Sequence, residues 1–276
     1  MDHQIIKASV RRALKEDRAK NDLTLRILNG FSNKIITAKL TVKEKAILSG
    51  TEWFEESFKQ LDSKIRVKWN FKEGTKLPKN SLVATIKGPS SSILSGERTA
   101  LNFLQFMSGI STKTSNIKKT IKNKNIELLD TRKTIPGMRY EQKYATSVGG
   151  AKNHRFDLSD GLMIKDNHIA VVEGLENFSF QKNLKKGKFL EIEVKKLSQI
   201  LPALKLNPDI IMLDNFNFTS LVKAISIINH KCMVEISGIK NESQFEEFSK
   251  LDIDFISLGD LTKNIKSIDF SLNLSK

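Results

Sequence analysis

The hydrophobic pattern of roughly the first 110 residues mixes helical and strand-like stretches. Apolar residues at helical spacing predict an N-terminal helix that ends near Glu16. Alternating β-branched stretches at residues 35–49, 65–71 and 81–88 predict strands, and TEWFEESFKQL predicts an amphipathic helix capped by Thr51. We therefore expect a small sheet with helices beside it.

A further helix is predicted at residues 95–109, SGERTALNFLQFMSG, with a buried apolar face and with Arg98 in its first turn. A cation at that position opposes the helix macrodipole. Arg98 is therefore either a tolerated surface charge or an arginine that a ligand requires.

Six short apolar runs follow in the second half of the chain, and each ends at a polar residue or a glycine. The end positions are Asp130, Lys165, Glu193, Asp214, Ser237 and Gly259. Most intervals have room for one helix, which predicts βα units and a parallel sheet whose polar ends meet at one mouth. Because a complete eight-stranded barrel takes about 250 residues, we expect an incomplete or open barrel.

The composition is that of a globular protein with an excess of cations. The 276 residues carry a formal net charge of +15, and 39% of them are hydrophobic. Such a charge fits a nucleic-acid-binding protein, an enzyme of anionic substrates, or a composition that is merely rich in lysine. The basic stretches lack interleaved aromatic residues, which disfavours nucleic acid as a partner.

The single cysteine, Cys232, excludes an internal disulfide and a cysteine-cluster metal site, and its apolar neighbours predict a place in the core. No apolar run reaches about 18 residues, and no signal peptide is recognisable. We therefore expect a cytoplasmic protein that does not bind membranes.

The residues that suggest a ligand are concentrated between Leu128 and Ile169. Cations alternate there with glycine and proline turns, and they are Arg132, Lys133, Arg139, Lys143, Lys152, His154, Arg155 and Lys165. Arginine pairs at two points with carboxylate or phosphate, so the segment predicts a site for a polyanionic small molecule. The alternative is a solvated basic loop.

The residues at the predicted strand ends extend that prediction. Cations would hold carboxylates or pyrophosphate, Glu193 and Asp214 suit sugar hydroxyls or Mg²⁺, and the glycines after the last two strands suit a phosphomonoester. Together they predict a phosphorylated sugar beside an acidic partner. Structural alternatives are Asp130 and Asp214 as helix caps, His154 as a buried structural histidine, and His168 as either a loop hydrogen-bonding residue or a ligand contact.

Three segments, DTRKTIPGMR, GGAKNHR and LMIKDNHI, resemble the signature core of the quinolinate phosphoribosyltransferases. The motifs ALKED, NDLT, AILSG, GERTALNFLQFMSGIST, EIEV, IIMLDN, EISG and ISLG also occur in family order, so the resemblance covers nearly the whole chain. It implies an α/β fold of the type II phosphoribosyltransferase kind. An N-terminal α/β sandwich at residues 1–110 would precede an open-faced, seven-stranded α/β barrel at residues 111–266, and the tail, residues 267–276, would return to the first domain.

The same resemblance implies a pentosyltransferase reaction. The phosphoribosyl group of phosphoribosyl pyrophosphate (PRPP) would pass to quinolinate, with Mg²⁺, to give nicotinate mononucleotide, pyrophosphate and CO₂ in NAD biosynthesis. A cytoplasmic homodimer or higher assembly is implied, with Arg98 reaching the site of the neighbouring subunit.

The family's site residues carry over to the matching positions. Quinolinate would be bound by Arg98, Thr131, Arg132, His154, Arg155 and Lys165. PRPP would be bound by Lys133, Glu193, Asp214, Ser237, Gly238 and Gly259, with Glu193 and Asp214 also at the metal. Catalysis would depend on Arg132, Lys133, Lys165, Glu193 and Asp214.

Two positions depart from the family pattern. Ile239, followed by Lys240, stands where a second glycine or asparagine is usual, and Asp260 lies beside the expected phosphate site. An acid there would repel phosphate unless it points away or is offset by Lys263. Barrel proteins associated with molybdenum transport share DTRK-like and HR-like motifs and are the alternative family, but the intact IKDNHI favours the quinolinate enzymes.

Overall fold

The computed structural model divides into two compact units. It describes residues 2–27, 34–179, 187–239, 241 and 243–275. Unit 1 comprises residues 1–115, 136–149 and 264–276, and unit 2 comprises residues 116–135 and 150–263. Residues 136–149 therefore lie in unit 1, whereas we predicted them in the barrel. The cause is aromatic packing, because the rings of Tyr140 and Tyr144 lie 6.2 and 5.1 Å from that of Trp53.

Helices and strands occur throughout both units. The helices are α1 (His3–Glu16), α2 (Thr51–Lys59), α3 (Ser90–Thr120), α4 (Arg139–Val148), α5 (Asp166–Val171), α6 (Ile200–Lys205), α7 (Phe218–Ile228), α8 (Ser243–Phe248) and α9 (Asp260–Lys263). The strands are β1 (Ile35–Val42), β2 (Ala46–Ile47), β3 (Arg66–Trp69), β4 (Lys76–Leu77), β5 (Leu82–Pro89), β6 (Glu127–Leu129), β7 (Leu162–Ile164), β8 (Leu190–Val194), β9 (Ile210–Asp214), β10 (Met233–Ser237), β11 (Phe255–Ser257) and β12 (Phe270–Leu274). Short 3₁₀ helices lie at Ala19–Asn21, Thr24–Ile27, Leu175–Asn177 and Leu197–Gln199.

Unit 1 contains a four-stranded antiparallel sheet in the order β12-β1-β5-β3, and β2 pairs with β4. The C-terminal strand β12 lies against β1, with Leu272 opposite Leu40. Leu40 and Ile86 belong to one buried cluster with Phe54 and Phe58 of α2. The predicted small sheet with helices beside it is therefore present.

The first two predicted helices form, but the cap of α2 was predicted wrongly. The N-cap is Gly50, with φ 98°, rather than Thr51. The Glu73 carboxylate accepts hydrogen bonds from the amides of Gly50 and Thr51 at 2.7 and 3.1 Å, and from the Thr51 hydroxyl at 2.6 Å. The free backbone amides at this end of the helix are bonded by a residue distant in sequence. The local sequence pattern therefore could not reveal the cap.

Helix α3 is much longer than predicted, and Arg98 lies well inside it rather than in its first turn. Two glycines of this helix are positions of close approach. A Cβ on Gly96 would lie 2.9 Å from Phe58 Cδ1, and one on Gly109 would lie 2.3 Å from the carbonyl oxygen of Lys266. The macrodipole argument for Arg98 therefore does not hold.

Unit 2 contains a six-stranded parallel sheet in the order β6-β11-β10-β9-β8-β7. These are the six apolar runs predicted from the sequence. The seventh strand that the resemblance implied is represented, among the described residues, by one parallel bridge between Lys152 and Leu129 of β6. Leu190, Ile211, Val234 and other strand residues form the core of this unit with apolar residues of its helices.

The carboxyl ends of the parallel strands lie at one edge of the sheet and position the candidate site. Glu193 is opposite Met212 in the register of β8 and β9, and Ser237 is opposite Asp214 in that of β9 and β10. Among the described residues, no helix is long and apolar enough to cross a membrane.

Candidate active site

A cavity of about 360 Å³ opens at the carboxyl ends of the unit 2 strands. It is lined by Thr131, Arg132, Lys133, His154, Arg155, Met163, Lys165, Glu193, Met212, Asp214, Glu235, Ser237 and Ser257. The structure therefore brings together most of the predicted site residues. Arg139 and Lys143, from the same basic segment, belong to α4 in unit 1 and are not among these lining residues.

The loop after β6 carries Thr131, Arg132 and Lys133 into the cavity. The Thr131 hydroxyl accepts from the Lys133 amide at 3.1 Å, and the Thr262 hydroxyl donates to the Lys133 carbonyl at 2.8 Å. These bonds fix the loop while the Lys133 side chain stays exposed. Nε of Arg132 is buried and has no hydrogen-bond partner in the described part of the chain, which makes it available to an anion.

Asp130 holds the Asn-His-Arg segment against the same loop. Its side chain is fully buried and accepts from the His154 amide at 2.9 Å and from Asn153 Nδ2 at 2.6 Å. The alternative role of Asp130 as a helix cap was wrong, because the next helix, α4, has Met138 at its N-cap. Asp214 does not cap α7 either, because Asn217 does.

Arg155 is buried at the wall of the cavity, and its Nη1 donates to the Gly161 carbonyl at 3.0 Å. Burial, and then the nearby charge of Arg132, lower the pKa of the Arg155 guanidinium. Two neighbouring guanidinium groups favour the binding of a ligand with two negative charges, because each can pair with one of them.

His154 lies close to two glutamates that were not predicted as site residues. Its Nε2 is 2.8 Å from Glu191 Oε2 and 3.5 Å from Glu235 Oε2. Burial lowers the pKa of His154, but hydrogen bonds to Glu191 and then Glu235 outweigh it and raise the pKa to about 9. The missed signal was a carboxylate inside each of two apolar runs, LEIEV and MVEIS.

Lys165 and Glu193 form an ion pair between the ends of β7 and β8. Nζ of Lys165 lies 2.5 Å from Oε2 of Glu193. Lys195 and Asp166 form a second ion pair between the same two strand ends. In this pair the cation follows β8 and the acid follows β7, the opposite of the first pair. His168 makes a local bond, because its Nδ1 accepts from the Lys165 amide at 2.9 Å, which fits its interpretation as a loop hydrogen-bonding residue.

The last two strands line the cavity through Ser237 and Ser257, whereas the predicted site glycines, Gly238 and Gly259, are not among the lining residues. Gly238 has φ 85°, and a Cβ there would lie 2.4 Å from Asn215 Oδ1. The Asn215 amide donates to the Ser237 carbonyl at 3.1 Å, which closes the turn. A Cβ on Gly259 would lie 2.7 Å from Lys133 Cδ, so glycine lets the lysine pass over this strand end.

Two positions, Ile239 and Asp260, depart from the family pattern, and each has its own structural surroundings. Ile239 packs against the core of unit 2, and Lys240 lies outside the described residues. Asp260 begins the short helix α9, which ends at Lys263. An acid in a first helical turn is favourable for the helix itself, which gives Asp260 a structural reason.

Two other residues singled out in the sequence are not among those that line the cavity. Arg98 belongs to unit 1 and is exposed on α3. Cys232 is half-buried beside the core of unit 2 rather than fully enclosed.

Family models match both parts of the chain. Residues 22–108 match the model described as quinolinate phosphoribosyl transferase, N-terminal domain. Residues 110–273 match the model described as quinolinate phosphoribosyl transferase, C-terminal domain.

Curated relatives are similar over the full length. A probable nicotinate-nucleotide pyrophosphorylase (carboxylating) of Methanocaldococcus jannaschii is 38% identical over 283 residues, covering 96% of this chain and 95% of that protein. The Bacillus subtilis protein of the same name is 32% identical over 277 residues, covering 100% and 95%. The rat nicotinate-nucleotide pyrophosphorylase (carboxylating) is 35% identical over 244 residues, covering 86% and 81%.

Solved structures show the same fold. The nicotinate-nucleotide pyrophosphorylase of Francisella tularensis superposes with a TM-score of 0.93 at 38% identity, covering 100% of this chain and 98% of that one. NadC from Streptococcus pyogenes superposes with a TM-score of 0.92 at 35% identity, with the same coverage. The α/β fold class predicted from the sequence is therefore confirmed.

Proposed function

This chain belongs to the quinolinate phosphoribosyltransferase family, and we propose that it transfers the phosphoribosyl group of PRPP to quinolinate with loss of CO₂. The products are nicotinate mononucleotide, pyrophosphate and CO₂, and the reaction serves NAD biosynthesis. Its substrates are small molecules. The observation that carries the proposal is one cavity in which arginine and lysine side chains face carboxylates at neighbouring strand ends.

The part of the cavity that would bind quinolinate is lined by cationic side chains, called the cationic wall below. Arg132, Arg155 and Lys165 provide the charges for two adjacent carboxylates, and Thr131 and His154 border them. Arginine binds a carboxylate through two parallel N–H donors, whereas lysine acts as a point charge. A pyridine with one carboxylate would leave part of this wall unpaired, so the arrangement favours a dicarboxylate.

The PRPP side of the site lies toward β9, β10 and β11. Lys133 is the exposed cation for pyrophosphate, and Ser237 offers a hydroxyl for the 5′-phosphate. Gly238 and Gly259, which follow the last two strands next to the lining residues, would offer backbone amides to the same phosphate. Glu193 and Asp214 suit the ribose hydroxyls.

Glu193 and Asp214 also fit Mg²⁺. Glu193 is opposite Met212, and Asp214 is two residues farther along β9, so both carboxylates face the same side of the sheet. Mg²⁺ prefers oxygen ligands and usually takes one or two carboxylates together with substrate phosphates. When bound, the ion would neutralise charge on the departing pyrophosphate.

The chemistry requires stabilisation of charge and accurate positioning. Loss of pyrophosphate leaves an oxocarbenium-like ribosyl centre, which the pyridine nitrogen attacks, and the carboxylates of Glu193 and Asp214 favour that positive charge. The ribosylated ring nitrogen is cationic and accepts the electron pair of the C–CO₂ bond as CO₂ leaves; a proton then adds at that carbon. Arg132, Arg155 and Lys165 contribute by holding the ring in place.

We further propose a homodimer in which Arg98 of one subunit reaches the quinolinate site of the other. Arg98 is an exposed cation in unit 1, and the described residues that line the cavity all belong to unit 2. A cytoplasmic location, and a higher assembly, stay predictions from the sequence.

The test is an assay of purified protein with PRPP and Mg²⁺, with quinolinate or nicotinate as parallel acceptors. We expect nicotinate mononucleotide from quinolinate and none from nicotinate, and we expect chelation of Mg²⁺ to stop the reaction reversibly. Product from nicotinate alone, or from neither acceptor, would contradict the proposal. The second outcome would favour the molybdenum-associated group of barrel proteins.

A further inference from the structure

Two buried carboxylates at the cavity have no assigned contact with either substrate: Glu235 lines the cavity, and Glu191 is not among the lining residues. Glu191 on β8 and Glu235 on β10 have 0% exposure. One oxygen of each lies within ion-pair distance of Nε2 of His154, but neither oxygen of either carboxylate makes a hydrogen bond of ordinary geometry among the described residues. Burial of such groups is costly unless they are paired, which calls for an explanation.

The ring of His154 is held on both sides. At Nε2 it faces the two carboxylates, at 2.8 Å for Glu191 and 3.5 Å for Glu235. At Nδ1 it accepts from the Arg155 amide at 2.7 Å. The carboxylates favour the doubly protonated ring and the Arg155 amide favours the neutral one, but in both forms Nε2 carries a proton, and Nε2 is the ring nitrogen that lies near the glutamates.

The backbone of the same segment is also fixed. Asp130 accepts from the His154 amide at 2.9 Å, and Arg155 reaches the Gly161 carbonyl through Nη1. The charged groups around the ring are therefore Glu191 from β8, Glu235 from β10, Asp130 from the end of β6, and the adjacent Arg155. A change at either glutamate alters the direction of the His154 ring and, through Nδ1, the support of Arg155.

We propose that Glu191 and Glu235 are positioning residues that keep the proton of His154 on Nε2 and hold His154 and Arg155 in place for the quinolinate carboxylates. The kinetic part of this inference rests on the proposed function. Partners that orient a metal-binding histidine typically change affinity or activity about 10-fold to 100-fold when removed, and we expect the lower part of that range for a histidine that would border a carboxylate.

A metal ion is the competing interpretation, because ligand atoms of His154, Glu191 and Glu235 lie within 4.8 Å of one another. The distance from Nε2 to Glu191 Oε2 is 2.8 Å, which is a hydrogen-bond length. Two ligands on one tetrahedral zinc ion are about 3.3 Å apart, given metal–ligand bonds of about 2.0 Å. The observed separation is shorter than that, so the geometry favours direct pairing of the histidine with the carboxylate over a shared zinc ion.

The first test is nitrogen NMR of protein labelled at histidine, which needs no activity. The His154 signals are assigned by their loss in His154→Gln. We expect a protonated Nε2 with slow proton exchange throughout pH 5.5 to 8.5. Glu191→Gln and Glu235→Gln should each speed that exchange at least about tenfold, because each weakens the acceptor.

The second test is steady-state kinetics of the same variants. We expect the KM for quinolinate to rise about tenfold in each, with the KM for PRPP within about twofold of wild type. Glu127→Gln is the matched control, because Glu127 is a carboxylate on β6 of the same sheet that pairs with Lys118 and Lys152 and does not line the cavity. It should change neither the NMR signal nor the KM.

The outcomes separate the two proposals. If wild-type protein lacks activity, the NMR result still decides the role of the glutamates. A proton on Nδ1 instead of Nε2 in the wild type, or an exchange rate unaffected by both substitutions, would overturn the inference. One zinc ion per purified chain that His154→Gln removes would also overturn it, since a metal would then occupy the position of the proton.

Discussion

Nζ of Lys165 lies 2.5 Å from Oε2 of Glu193, across the ends of two neighbouring parallel strands. One partner belongs to the proposed quinolinate side of the cavity and the other to the proposed PRPP and metal side. A quinolinate carboxylate that pairs with Lys165 therefore competes with Glu193, whereas Mg²⁺ or a ribose hydroxyl at Glu193 reduces that competition. The ion pair links the binding of the two substrates.

Glu193→Gln removes the competing charge and retains the size of the side chain. We expect quinolinate to bind as tightly as in the wild type or more tightly, while kcat falls at least about a hundredfold because a carboxylate beside the ribosyl centre is lost. Calorimetric binding of quinolinate and steady-state kinetics measure the two effects separately. Asp166→Asn, which breaks the more exposed pair with Lys195, should have a much smaller effect on kcat. Weaker quinolinate binding in Glu193→Gln would contradict the proposed competition.

Arg132→Ala and Lys165→Ala should each reduce kcat/KM at least about a hundredfold, because each removes a cation that has no substitute at its position. Thermal unfolding should shift by only a few degrees, since neither side chain belongs to the core. Lys152→Ala is the comparison, because Lys152 is an exposed cation of the same segment that pairs with Glu127. Near wild-type turnover in either cavity variant would refute the assignment of the quinolinate side.

Gly238→Ala should lower both stability and affinity for PRPP. The substitution combines a positive φ of 85° with a contact at 2.4 Å from Asn215 Oδ1. We expect a loss of at least about 2 kcal/mol in the free energy of unfolding, from backbone strain plus overpacking. Gly187→Ala separates the two causes, because Gly187 has φ 73° with open space around it, and it should cost about 1 kcal/mol. Denaturant unfolding gives both values, and equal losses would mean that crowding at Asn215 is unimportant.

Cys232 should react slowly with alkylating reagents. Burial raises the pKa of its thiol to about 11, so little thiolate is present at neutral pH. At pH 8 we expect alkylation by iodoacetamide to be about a hundredfold slower than for an exposed thiol, with the rate still rising above pH 9. The urea-unfolded chain, measured at the same pH, provides the reference rate. Equal rates in the folded and unfolded chain would show that the thiol is not protected.

The sequence predicts the strands of unit 2 well and the ends of α3 poorly. Each strand is a short apolar run that ends at a polar residue, and this local pattern is the one that a buried parallel sheet requires. The predicted helix covered only residues 95–109, and Gly96 and Gly109 lie inside the observed helix, where their lack of a side chain serves packing against Phe58 and Lys266. Contacts of this kind join residues far apart in the sequence, so the local pattern around each glycine does not indicate them.

The candidate site shows the same division. Residues at strand ends, such as Lys165, Glu193 and Asp214, could be predicted because parallel strands bring their carboxyl ends together. Glu191 and Glu235 were missed because their importance depends on facing one histidine across two strands. The register between strands decides which side chains lie close to one another, and it cannot be derived from the hydrophobic pattern of a single chain.

The most direct test of the central claim is the release of labelled CO₂ from quinolinate that carries the label in its 2-carboxyl group, with PRPP and Mg²⁺ present. We predict one CO₂ for each pyrophosphate and each nicotinate mononucleotide formed, and none from Lys165→Ala protein above background. Pyrophosphate release without CO₂, or CO₂ release that persists in Lys165→Ala, would contradict the account of this cavity as the site of decarboxylating phosphoribosyl transfer.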